Sequence, residues 1–187
     1  MSGPVLADTL IAGAWLLVVG DLLYAAHRSH VARARRVAAV LLLLGIAAAA
    51  RILEDATGGR FFWRPTVAAA GVLMAWSGVT LHCWARRSLA RGWSPIVTPP
   101  PGAALAQHGP YARIRHPLYA AILLVGIGTL LAHGSRATLA ITVGLMAGVA
   151  LKRRAEDRAL ERRLGDAWRT YARRVPALCP RLTRDTR

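Results

Sequence analysis

Side chains able to do chemistry are concentrated in two stretches of this chain, 109–119 and 156–174, separated by largely apolar sequence. The first is Gly109-Pro110-Tyr111-Ala112-Arg113-Ile114-Arg115-His116-Pro117-Leu118-Tyr119. It packs two prolines, two tyrosines, two arginines and a histidine into eleven residues. The second opens on Glu156-Asp157, two of only nine acids in the chain, and carries Tyr171 and Arg174. Arginines can hold a carboxylate through two parallel hydrogen bonds, and acids suit a cationic ligand. Neither stretch holds a serine or cysteine that a histidine would activate. The chemistry on offer is binding and orienting charged groups. The remaining histidines, His27, His30, His82, His108 and His133, show no metal-ligand spacing, so no metal site is expected. His82 is set apart because it stands inside an apolar run beside Cys83.

The elements that must position these residues follow from hydropathy and from proline. Proline fixes φ and lacks an N–H, so Pro110 suits a turn and Pro117 the first position of a helix. Pro117 also biases His116 away from helical angles, which predicts a polar aromatic loop ending at the start of an apolar helix. Apolar runs at 5–26, 37–53 and 66–84 are long enough for membrane spans. Two shorter ones, 117–132 and 136–151, are joined by His133-Gly134-Ser135 and read as a helical hairpin. The connection 88–116 contains Trp93-Ser94-Pro95 and Pro99-Pro100-Pro101-Gly102, which forbid a continuous helix. Beyond Lys152, leucines, Trp168 and Tyr171 recur at helical spacing over 155–173 among basic residues, and Pro176 and Pro180 end that helix. The expected fold is all-α and polytopic, with about five spans. Residues 1–87 hold three N-terminal spans, and residues 88–187 form a catalytic region of loop, hairpin and basic C-terminal helix.

Composition and charge give the setting. The chain is 55% hydrophobic yet carries 25 Lys and Arg against 9 Asp and Glu, a net charge of +16. Long apolar runs argue against a nucleic-acid module and for membrane helices joined by basic loops. With five spans, one side of the bilayer collects 21 of the 25 basic residues, and the other holds only Arg51, Arg60, Arg64 and Arg136. By the positive-inside rule the N-terminus is then outside, and both chemical stretches share the cytoplasmic face, in a bacterial inner membrane. A short hairpin returns the chain to the side it left, which brings Glu156-Asp157 back near Arg115 and His116. Taken alone, the acids also fit simple i,i+4 pairs with Lys152 and Arg153. Cys83 and Cys179 form no disulfide or zinc pattern.

Taken in order, Gly109-Pro110-Tyr111, Arg115-His116-Pro117-Leu118-Tyr119, the apolar hairpin, Glu156-Asp157, Leu164-Gly165, Trp168, Tyr171 and Arg174-Val175-Pro176 resemble the isoprenylcysteine carboxyl methyltransferase family. These are membrane enzymes that use S-adenosylmethionine. The likeness spans roughly 90–182 and includes Gly92-Trp93-Ser94; the first two spans match only in being hydrophobic. It implies cofactor binding by Gly109, Tyr111, His116, Pro117, Tyr119, Glu156 and Asp157. It also implies that Tyr171 and Arg174 close the pocket or orient the substrate, while Arg113 and Arg115 are, by their own chemistry, the candidates to anchor a substrate carboxylate, with Arg115 counted among the catalytic residues. Asp157 replaces a usual glutamate, and Trp168 stands where a tyrosine is usual. Methyl transfer from a sulfonium needs positioning and desolvation rather than a strong base, and a carboxylate acceptor is already ionised near neutral pH. The implied reaction methylates a lipophilic acceptor arriving from the bilayer, foremost an isoprenylcysteine-type carboxylate, otherwise a small thiol or a phospholipid amine. Two other classes stand beside it. Sterol reductases, which use NADPH, also end in a Gly-x-x-Trp-x-x-Tyr run, matched by Gly165, Trp168 and Tyr171. A non-enzymatic protein with a lipid-binding tail would explain the charge but not the ordered motif.

Overall fold

The computed structural model describes residues 3–28, 59–89 and 105–180, and these are helical without a β-strand. In chain order they form α1 (Gly3–Arg28), α2 (Pro65–Ser88), a 3-10 turn (Gly109–Ala112), α3 (Pro117–His133), α4 (Arg136–Leu164) and α5 (Asp166–Arg174). The expected span at 37–53 and the Trp93 and triple-proline part of the loop lie outside the described residues. Proline opens α2 and α3 as anticipated, with Arg64 and His116 just before them in non-helical conformations. Gly134, in the left-handed region at φ 58°, ends α3. Ser135 then caps α4, exchanging hydrogen bonds with Thr138 across the first turn. The hairpin is therefore written in two adjacent residues, Gly134 and Ser135.

Small residues set the closest packing. Gly71 and Gly78 of α2 lie against Gly128, Ala132, Ala121 and Val125 of α3, so the two helices run antiparallel. A Cβ added at Gly78 would stand 2.7 Å from the Ala121 carbonyl oxygen. Backbones approach this closely where van der Waals contact drives helix association in lipid. Ile11, Ala14 and Val18 of α1 complete the core with Ala75, Val79, Val125 and Ala132. The Trp15 indole donates to Thr129 at 2.9 Å. Leu16, Leu17, Leu73, Val143 and Leu151 face outward, as lipid-facing side chains do.

Two stretches, Gly3–Asp21 and Pro65–Ser88, are long and apolar enough to cross a bilayer, and α3 is a shorter apolar helix. The helix ends sort into two groups. At one end Arg60 holds Asp8 through two 2.7 Å hydrogen bonds, and the Phe61 N–H donates to Gly134. At the other lie Asp21, His82, Arg86 and the Gly109–Ala112 turn. One expectation needs correction. The basic helix does not run over 155–173. α4 continues unbroken from the hairpin through Lys152 to Leu164, about 43 Å at 1.5 Å per residue. Lys, Arg and Glu are good helix formers and no proline intervenes, so a change of polarity does not end a helix. The break comes at Gly165, whose φ of 53° no other residue type adopts easily with its ψ of −123°.

Candidate active site

The backbone of the first stretch is clamped before any side chain acts. The Gly109–Ala112 turn rests on the end of α2, where a Cβ on Gly109 (φ 58°) would strike the Ser88 side chain. The Arg115 and His116 N–H groups donate to the Pro176 and Ala177 carbonyls at 2.8 and 3.0 Å. The segment after α5 therefore folds back beneath the start of α3. Tyr111, Ile114, His116 and Pro117 are buried there.

His116 is the centre. Its Nε2 lies 2.8 Å from Asp157 Oδ1, and its Nδ1 lies 3.8 Å from Glu156 Oε2. Asp157 Oδ2 accepts from Arg153 at 3.0 Å, one helical turn earlier, and Arg115 Nη1 stands 3.6 Å from Oδ1. Burial alone would raise the Asp157 carboxyl. The hydrogen bond and charge of His116, with Arg115 and Arg153, reverse this and hold it below the ordinary carboxylate range. Asp157 is thus a neutralised hub, and Glu156 is the acid with fewer cationic contacts.

Aromatic rings wall the cluster. Tyr119 stacks on His116 with centroids 5.5 Å apart, within electrostatic reach of the Glu156 carboxylate. Trp168 meets His116 edge-on at 6.5 Å and lies under the Arg115 guanidinium at 5.6 Å. Lys152 sits over Tyr119 at 6.0 Å. The Tyr171 hydroxyl donates to the Tyr111 carbonyl at 2.7 Å, a buried bond joining α5 to the turn. Burial pushes the Tyr171 phenol up to about 12, Arg115 acting the other way. Burial, then the Glu156 carboxylate, pushes Tyr111 up as well.

Residues 66–167 match the family profile described as phospholipid methyltransferase, more than half of the chain. The chain belongs to the phospholipid methyltransferase family. No curated protein matches it. This family lies in the same membrane methyltransferase superfamily as the isoprenylcysteine carboxyl methyltransferases, so that resemblance holds at the superfamily level. Membership indicates a membrane methyltransferase, and such enzymes generally use S-adenosylmethionine. The matched region runs from α2 through the whole of α4, covering Arg115, His116, Tyr119, Lys152, Arg153, Glu156 and Asp157. Trp168 and Tyr171 fall just beyond it.

Most of the residues singled out from sequence come together: Tyr111, Arg115, His116, Pro117, Tyr119, Glu156, Asp157 and Tyr171. Gly109 contributes backbone conformation. Arg113 and Arg174 are exposed and make no described contact with the cluster. Sequence reasoning named Trp168, Lys152 and Arg153 but missed the cation–ring contacts of Arg115 over Trp168 and of Lys152 over Tyr119. The i,i+4 spacing of Arg153 and Asp157 announced their pairing, and the bland reading of that acid was sound.

Proposed function

We propose that this protein is an integral-membrane methyltransferase that moves a methyl group from S-adenosylmethionine to a lipophilic acceptor at the His116 cluster. The carrying observation is one histidine set between two carboxylates inside an aromatic wall, at the helix ends where the family match is centred. The donor set fits the cofactor. Buried Arg115 Nε has no hydrogen-bond partner among the described residues, and so offers an N–H to a ligand carboxylate. Glu156 suits a ligand ammonium or hydroxyl, and the faces of Tyr119 and Trp168 already attract cations. When bound, S-adenosylmethionine supplies an electrophilic methyl on a sulfonium. The chain orients it: Asp157 fixes the His116 ring, and Tyr171 pins Tyr111 to α5. Packing around the buried ring excludes water from the reacting centre.

The acceptor we favour is an isoprenylcysteine-type carboxylate. An ionised acceptor needs no base, and every carboxylate and histidine of the cluster is already engaged by a neighbour. The family match favours a second reading, an amine on a phospholipid headgroup. The same proposal carries the five-span arrangement, residues 88–187 as the catalytic region, and the cytoplasmic placement of the site. To test it, purified protein in detergent receives methyl-labelled cofactor with either a farnesylcysteine analogue or an ethanolamine phospholipid. Alkali-labile label on the carboxylate is expected. Alkali-stable label on the phospholipid would replace the first acceptor by the second, and label on neither would overturn the proposal.

A further inference from the structure

Two ion clusters tie α1 into the bundle, one at each end. The far one joins Asp8 to Arg60, with His133 Nδ1 at 3.6 Å. At the site end, Asp21 Oδ2 accepts from Arg86 Nε at 2.6 Å and from His82 Nε2 at 2.8 Å. His82 is only 2% exposed, and its Nδ1 has no hydrogen-bond partner among the described residues. The ring proton must then sit on Nε2. On Nδ1 it would leave a buried N–H unpaired and turn a lone pair toward the carboxylate. The cluster joins an imidazole and a guanidinium to one carboxylate oxygen where α1 meets the end of α2, a setting in which an unpaired charge is costly.

Its level in the fold links it to the methyl-transfer site. Gly71 lies against Gly128 and Ala132, and Gly78 against Ala121 and Val125. One turn further along this antiparallel register, His82 comes level with the first turn of α3, which His116 precedes. Arg86 lies one turn beyond and within electrostatic reach of Tyr111. Ser88 and Trp84 back Gly109. The Tyr111 carbonyl holds Tyr171, and Tyr171 packs against Trp168, the ring under Arg115. A continuous series of contacts thus runs from α1 to the cluster. The Asp8 cluster lies at the opposite ends of these helices, beside the hairpin turn.

We propose that Asp21, His82 and Arg86 are positioning residues. They lock the end of α2 against α1 so that the Gly109–Ala112 turn, and with it Arg115 and His116, is held in register. The catalytic consequence rests on the methyltransferase reading, but the positioning itself does not. Hydrogen–deuterium exchange of the full-length protein in detergent tests it without any cofactor. In Asp21→Asn, exchange over 109–116 rises about tenfold, the loss of one charge-assisted hydrogen bond felt locally. Asp8→Asn, which breaks the far cluster, leaves 109–116 as protected as in the native protein, and Asp21→Glu restores most of the protection. If Asp21→Asn does not fold, Arg86→Lys replaces it with the same expectation. An equal rise in the Asp8 and Asp21 variants, or none in either, would overturn the proposal.

Discussion

The two adjacent acids of α4 divide their labour, and removing one charge at a time separates them. Asp157 accepts charged hydrogen bonds from His116 and Arg153, with Arg115 close by. Bonds to charged groups contribute about 1.5–3 kcal/mol each. Asn keeps one acceptor oxygen, and the side chain is 21% exposed, so solvent screens part of the loss. Asp157→Asn should therefore cost about 2 kcal/mol, lowering Tm by about 4–8 °C in a chain of this size. Glu156 has one ion pair, at 3.8 Å, and is 30% exposed; Glu156→Gln should cost at most about 1 kcal/mol. If Glu156 instead serves the ligand, losing one charged hydrogen bond of about 1.5–3 kcal/mol weakens cofactor binding about 10- to 100-fold. Thermal unfolding and calorimetry with S-adenosylmethionine read the two effects. Native affinity in Glu156→Gln, or native stability in Asp157→Asn, would refute the division.

Three further outcomes follow from the packing and charges. Because Asp157 titrates below the ordinary carboxylate value, its stabilisation is complete above about pH 4 and is lost as pH falls through the depressed pKa. Native protein should therefore lose stability more steeply than Asp157→Asn as pH falls from about 4 to about 2, read by thermal scans at each pH. Tyr171→Phe leaves the buried Tyr111 carbonyl without its 2.7 Å partner and should cost about 1–2 kcal/mol in unfolding, with kcat near native if the hydroxyl only braces the turn. Gly78→Ala must push α2 away from the Ala121 carbonyl and should cost about 1–3 kcal/mol, whereas Gly144→Ala, with open space around it, should be neutral or stabilising by up to about 1 kcal/mol.

Much of this was legible in residue type. Pro65 and Pro117 mark helix starts, Gly134-Ser135 marks the hairpin, and the hairpin alone brings Glu156-Asp157 back to His116. The extent of α4 was misread because a change from apolar to basic looks like a boundary, although nothing there interrupts backbone hydrogen bonding. Gly165 was the true stop and stood in plain view. The unequal roles of Glu156 and Asp157 depend on a 100° rotation between neighbours on a helix, which an acidic pair in sequence does not disclose. The clamp of Pro176 and Ala177 on Arg115 and His116 is made by backbone groups alone, so it leaves no trace in composition. Arg174, chosen by resemblance, ends α5 facing solvent.

The most direct test of the central claim is calorimetry on the detergent-solubilised protein, native and His116→Ala, with S-adenosylmethionine, its demethylated product and NADPH. Native protein should bind the first two and not NADPH, and His116→Ala should bind neither of them measurably while staying folded by circular dichroism. Binding of NADPH alone, or undiminished S-adenosylmethionine binding by His116→Ala, would contradict a methyl-transfer site built on His116.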